Sequence, residues 1–147
     1  MSVDGPMTGA AVLRVATQLV DGIQEGLARR GFDDVRPAHG FAFARISGTR
    51  ATTADLAAHL GITKQAAAQL VDHLVEHGYL TREADPRDGR AKLLVLTPRG
   101  WACTTAAEQA ANDVVQRWKA QLPPKQFAVM RDALNKIAVP GRLRPAW

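Results

Sequence analysis

The 147 residues include a single cysteine, Cys103, so no second thiol is available for a disulfide within the chain. Disulfide stapling is therefore excluded as a source of stability, and a reducing compartment is the natural setting. Peroxide sensing through an intrachain disulfide is excluded for the same reason, and Cys103 reads as a small buried side chain. Long apolar runs are missing too: nothing approaches the ~18 residues of a membrane span. Residues 1–8 lack the basic start and apolar stretch of a secretory signal. These absences predict a cytoplasmic chain with no membrane partner. Aromatic residues are scarce at 5%, so the core must come mainly from Ala, Leu and Val. No Ser/His/Asp set, glycine-rich phosphate loop or carboxylate pair is visible, so neither catalysis nor a cofactor is expected. No internal repeat or low-complexity segment occurs.

What is present suits a folded protein: 46% hydrophobic and 22% charged residues. The net charge of +5 invites a nucleic-acid reading, but its distribution undercuts that inference. Residues 1–49 hold five basic and five acidic side chains, and residues 50–97 hold six of each. The last 50 residues, with eight basic and three acidic, carry the whole excess. Only segregation in space could make the middle segment a basic surface, with Lys64, Arg87, Arg90 and Lys92 on one side and Asp55, Glu76 and Glu83 on the other.

Periodicity lays out the elements. Val12, Ala16, Leu19, Val20, Ile23 and Leu27 recur on one face of a helix over residues 8–30, with Thr8 as its cap and Gly31 as its stop. Pro37 opens a second helix to about Ile46, closed by Ser47-Gly48. Thr52 then caps a short helix with Asp55 at its third position, in a capping-box-like arrangement. Leu56, Ala57 and Leu60 form its apolar stripe, and Gly61 supplies a left-handed turn. Thr63 caps the next helix, which ends at His77-Gly78. Residues 80–84 and 92–96 are strand candidates, with Asp88-Gly89 as the turn pair between them. Thr97-Pro98 starts a long helix to about Gln121. Pro123-Pro124 breaks it and opens a last helix with Phe127, Met130, Leu134 and Ile137 inward. A frayed basic tail is expected over residues 141–147.

Two short helices split by a glycine turn, then a hairpin, make the order of a winged helix-turn-helix. The expected fold is mainly α with a small β-hairpin wing. It divides into N-terminal helices (1–47), the winged helix-turn-helix (48–97), and long C-terminal helices with a tail (98–147). On the 63–77 helix, Ala67, Leu70, Val71 and Leu74 share the packing face. The opposite face presents Gln65, Gln69 and Asp72, flanked by Ala66, Ala68 and His73. Glutamine can bond adenine at N6 and N7, worth about 1–3 kcal/mol of discrimination. Ala66 and Ala68 allow close approach and contact with a thymine methyl, while Thr63 and Lys64 suit phosphates at the helix N-terminus. Asp72 falls outside the groove. At the hairpin tip, Arg90 is placed to enter the minor groove. Arg87 meets phosphate or braces the loop against Asp85 or Asp88. The bland alternative for both is a solvated polar face and a hairpin with local ion pairs.

Several stretches resemble the MarR family of transcriptional regulators: Leu56-Ala57-x-x-Leu60-Gly61-Ile62-Thr63-Lys64-Gln65, Leu74-x-x-x-Gly78-Tyr79-Leu80-x-Arg82, Asp85-Pro86-Arg87-Asp88-Gly89-Arg90, and Leu96-Thr97-Pro98-Arg99-Gly100. Arg36-Pro37-Ala38-His39-Gly40 extends the likeness into the second helix. The resemblance implies a homodimer interlocked through its first and last helices, with Val12, Leu19, Val115, Trp118, Phe127 and Leu134 at the contact. It implies a repressor on a near-palindromic double-stranded operator, with Thr63, Lys64, Gln65, Ala66, Ala68 and Gln69 in the major groove. Arg87, Gly89, Arg90 and Lys92 then form the wing contact. Gly89 stands where many relatives carry an arginine, so weaker groove affinity is expected. A small, aromatic or acidic effector is also implied; Phe41, Phe43, Arg45 and Trp101 would line its cleft, or Phe41, Phe43 and Trp101 simply belong to the core.

His73 and His77 stand four apart, a metal-ligand spacing on a helix. His77 equally suits the cation-favouring end of that helix, and no second cysteine completes a site, even with His59 added. No metal is expected, and His39 should hydrogen-bond within the helical part. Two rivals to the regulator remain: a winged-helix protein-interaction module, and a ligand-binding protein without operator binding.

Overall fold

The computed structural model describes residues 2–141. Its elements in order are α1 (Asp4–Arg29), α2 (Pro37–Gly48), α3 (Thr53–Leu60), α4 (Lys64–Glu76), β1 (Leu80–Asp85), β2 (Asp88–Leu96), α5 (Pro98–Gln121) and α6 (Pro124–Ile137). They form two compact units, one from residues 2–34 with Ala106–Ala138, the other built on Val35–Thr105. Most of the expected basic tail, residues 142–147, lies outside the described residues.

The first unit rests on unusually close helix packing. Gly22 and Gly26 of α1 lie against Val114 and Ala110 of α5; a Cβ on Gly26 would sit 2.4 Å from the Ala110 Cβ. Leu27, Ala106, Ala110 and Val114 are buried, and Arg30 closes the contact with Asp113 at 2.9 Å. α1 begins at Asp4, earlier than the Thr8 start expected from sequence. Ser2 Oγ accepts from the Asp4 N–H and donates to its carboxylate. Pro6 falls within the first turn, where an N–H has no intrahelical acceptor to lose. A second correction concerns α6, which buries none of its residues. Phe127 and Met130 are half-exposed, and Ile137 is 74% exposed. Val12 and Leu13 of α1 are likewise bare. Amphipathic spacing marks a face to be covered without saying which chain covers it.

The second unit is the helix-turn-helix and its wing. The Thr52 hydroxyl accepts from the Asp55 N–H (3.2 Å), and the Asp55 carboxylate accepts from the Thr52 N–H (2.9 Å), completing the capping box of α3. Gly61 (φ 68°) and Gly78 (φ 80°) hold the left-handed positions that end α3 and follow α4. Leu56, Ala67, Val71, Leu74 and Tyr79 are fully buried, and Phe43 joins them with its ring 5.6 Å from that of Tyr79. The Tyr79 hydroxyl accepts from Arg99 (3.0 Å), and its carbonyl accepts from the Thr97 N–H (3.0 Å). Tyr79 thus joins the end of the helix pair to the start of α5.

β1 and β2 pair antiparallel from Leu80↔Leu96 to a register shift at Ala84/Asp85. Both strands exceed the expected lengths, and the turn sits at Pro86-Arg87 instead of Asp88-Gly89. Proline fixes φ for the first turn position, and the Asp85 carboxylate accepts from the Arg87 N–H at 2.9 Å. Gly89 has no positive φ and belongs to β2.

Candidate nucleic-acid interface

α4 is amphipathic in the sense that matters here. Its inner face, Ala67, Val71 and Leu74, is buried, with Leu70 half-buried beside it. Its outer face exposes Thr63, Lys64, Gln65, Ala66 and Gln69, with Ala68 half-buried at its edge. The Thr63 hydroxyl accepts from the Ala66 N–H at 3.1 Å and so fixes the leading end. Neither Gln65 nor Gln69 is hydrogen-bonded through its side chain among the described residues, so their amides stand ready to pair with an outside partner. Asp72, one turn further on, is engaged instead by the Arg82 guanidinium of β1. That pair occupies one of the two exposed carboxylates on this face and joins α4 to the wing. The other, Glu76, lies at the trailing end of the same face and not on the opposite side expected from sequence.

The wing carries Arg87, Gly89, Arg90 and Lys92, all exposed. Among the described residues neither arginine nor Lys64 or Lys92 forms an ion pair, which leaves their charge available to phosphate. The brace expected between the Arg87 side chain and Asp85 or Asp88 takes another form. Asp85 pairs with Arg50 and accepts the Arg87 backbone N–H, while Asp88 accepts the Arg90 backbone N–H at 3.0 Å. The carboxylates shape the tip through its backbone and leave the arginine heads free. Glu83 lies on the exposed stretch of β1 and Asp55 at the start of α3. The pKa of Asp55 is lowered, chiefly by the hydrogen bond from the Thr52 backbone, then by the Thr52 hydroxyl and the nearby Arg45 and Arg50.

The four residues considered for an effector cleft do not converge. Phe43 is core, and Phe41 is half-buried. Arg45 donates to the Thr49 carbonyl and hydroxyl (both 3.1 Å) and to the Arg50 carbonyl (3.2 Å), which orders the loop after α2. Trp101 alone borders a hollow, about 270 Å³, which it shares with Ile46, Thr49, Arg50 and residues 93–96. Trp101 is 51% exposed. The histidines meet ring to ring: His39 stacks on His73 (4.9 Å), and His73 makes a tilted contact with His77 (4.0 Å). His39 Nδ1 accepts from the Arg36 N–H. Among the described residues no group of three or more metal-capable side chains comes together. Sequence reasoning missed Arg50 altogether, because its partner lies 35 residues away and no local pattern announces it.

The sequence model of the MarR family matches residues 37–91 of this chain. Solved structures agree in fold. Wild-type apo MarR from E. coli is 23% identical and has a TM-score of 0.72, with 89% of this chain and 96% of that one covered. A cysteine-to-serine mutant of MarR from E. coli, complexed with operator DNA, is 22% identical (TM-score 0.69; 95% and 100% covered). A point mutant of MepR from S. aureus, bound to an oligodeoxyribonucleotide, is 19% identical (TM-score 0.66; 88% and 94% covered). No curated protein sequence matches the chain. The described helices include none long and apolar enough to cross a membrane.

Proposed function

We propose that this chain is a DNA-binding transcriptional regulator of the MarR type, acting as a homodimer on a near-palindromic operator; the family model that matches residues 37–91 supports the reading. The observation that carries the reading is the outer face of α4. It holds two unspent glutamine amides one turn apart, small alanines around them, and an N-terminal end with Thr63 and Lys64. Such a face fits a major groove, where each well-placed glutamine–adenine pair contributes about 1–3 kcal/mol of discrimination. The free arginines of the wing supply the flanking contact, Arg90 toward the minor groove and Arg87 toward phosphate, with Lys92 beside them. The operator and oligodeoxyribonucleotide complexes of MarR and MepR support DNA as the partner.

The dimer is supported by what the terminal helices leave bare. Val12 and Leu134 are exposed, Leu19, Val115, Trp118 and Phe127 are half-buried, and α6 buries nothing. A second copy is the natural cover for such a surface. Repression, relieved by a small aromatic or acidic effector, is the regulatory sense we favour. The hollow beside Trp101 is the place for that effector, with apolar walls and Arg50 at its rim. Regulation from the cytoplasm, with no catalytic activity, completes the reading.

The test is Gln65→Ala against a duplex selected by the wild-type protein from its own genome. The variant is expected to keep binding but to lose preference among operator base changes at one position of each half-site. An unchanged preferred sequence and affinity sinks the groove assignment. The rival, a winged-helix protein-interaction module, draws on the equal numbers of acidic and basic residues in segment 50–97. It predicts no salt-sensitive binding to any duplex.

A further inference from the structure

Asp85 is the one buried charged side chain among the described residues, with 5% of its side chain exposed. A buried carboxylate is costly unless paired and hydrogen-bonded, so its retention calls for a reason. Its surroundings give one. The carboxylate accepts from the Arg50 guanidinium and, at 2.9 Å, from the Arg87 backbone N–H. It stands where the strand register shifts, immediately before the Pro86-Arg87 turn. The residues on either side, from Thr81 to Ala84 and from Asp88 to Arg90, are all exposed. The outer half of the hairpin therefore has no apolar core of its own, and isolated two-stranded hairpins are marginal in water.

Arg50 reaches it from a loop that is itself held. Arg45 donates to the Thr49 and Arg50 carbonyls, and the Ala51 carbonyl accepts from the Leu94 N–H at 2.9 Å. The loop is thus stitched to the base of β2 through Ala51 and to the tip of the hairpin through Arg50. We infer that Arg50 is a positioning residue for DNA recognition: its grip on Asp85 fixes the turn that presents Arg87 and Arg90 to the duplex. The inference rests on the regulator reading. It assigns Arg50 and Asp85 no direct contact with a base.

Electrostatics and positioning predict opposite signs for one variant, which makes the inference testable. Neutralising a carboxylate near a polyanion should strengthen binding if only charge counts. Loss of a clamp should weaken it. Fluorescence anisotropy on the duplex selected by the wild-type protein is therefore run for Asp85→Asn, Arg50→Ala, the double variant and Arg50→Lys. Asp85→Asn and Arg50→Ala are each expected to weaken binding by about tenfold, with the double variant no weaker than either, as for two residues acting as one unit. Arg50→Lys, which keeps the charge but not the planar fork, should recover part of the loss. Hydrogen exchange in the absence of DNA supplies an independent readout. The Arg87 amide should lose protection in both single variants while the α4 amides keep theirs, which also establishes that the variants fold. Equal or tighter binding by Asp85→Asn overturns the inference, as does additive loss in the double variant or an unchanged Arg87 amide. If the wild-type protein selects no duplex at all, the regulator reading fails first and takes the inference with it.

Discussion

A hydroxyl and a carboxylate three residues apart decide how α3 begins, and their energetics can be measured. The Asp55 pKa is lowered, mainly by the Thr52 backbone N–H. A carboxyl that releases its proton more readily when folded stabilises the fold fully above its ordinary pKa of about 3.9. That contribution disappears as pH falls through the lower folded value. Urea unfolding between about pH 5 and pH 3 should therefore show a smaller acid loss for Asp55→Asn than for wild type; equal losses would contradict the assignment. Thr52→Ala, which removes the hydroxyl acceptor, should cost about 1 kcal/mol at neutral pH in the same assay. At the other helix start, Lys64 is exposed and, among the described residues, forms no ion pair. Lys64→Ala should weaken binding to every duplex alike and reduce the slope of log affinity against log salt by about one. A loss confined to particular sequences would instead place Lys64 against a base edge.

Among elements, the contact of α1 with α5 sets two effects against each other. Replacing a mid-helix glycine by alanine ordinarily gains about 1 kcal/mol. At Gly26 the new methyl would lie 2.4 Å from the Ala110 Cβ and 3.3 Å from its Cα, where backbone must move. Overpacking of this kind costs about 1–3 kcal/mol, so the clash should win and Gly26→Ala should lower the melting temperature. A rise would mean that the helices can separate cheaply. The same distinction between local and distant causes explains what the sequence made legible. Thr52, Asp55, Gly61, Thr63 and Gly78 each act within one turn of their own position, and the helix-turn-helix they delimit stands where the pattern put it. The buried face of α4 was equally readable, because Ala67, Val71 and Leu74 repeat at helical spacing. The wing turn was misplaced since Asp88-Gly89 is the commoner hairpin pair, while Pro86 and the Asp85 carboxylate decide the actual turn. The Arg50–Asp85 pair and the hollow beside Trp101 depend on segments that meet only after folding. No spacing rule reaches them.

On the scale of the whole molecule, the surface is uneven in a way that a lone chain does not explain. α6 has no buried residue, and Val129, Leu134 and Ile137 stand exposed on it, as do Met7, Val12 and Leu13 on α1. Exposed apolar residues grouped on two helices are expected to mark an association surface. Leu134→Glu combined with Ile137→Glu should yield a monomer in sedimentation experiments and abolish tight operator binding without unfolding the winged unit. A dimer that persists would move the contact elsewhere. The most direct test of the regulator reading is a footprint of the wild-type protein on a fragment it selects from its own genome. Two protected half-sites in inverted orientation are expected, their centres about 10 base pairs apart, or a multiple of that, on one side of the duplex. Absence of any protected fragment, or a single site without an inverted mate, would contradict a two-fold protein reading DNA through α4.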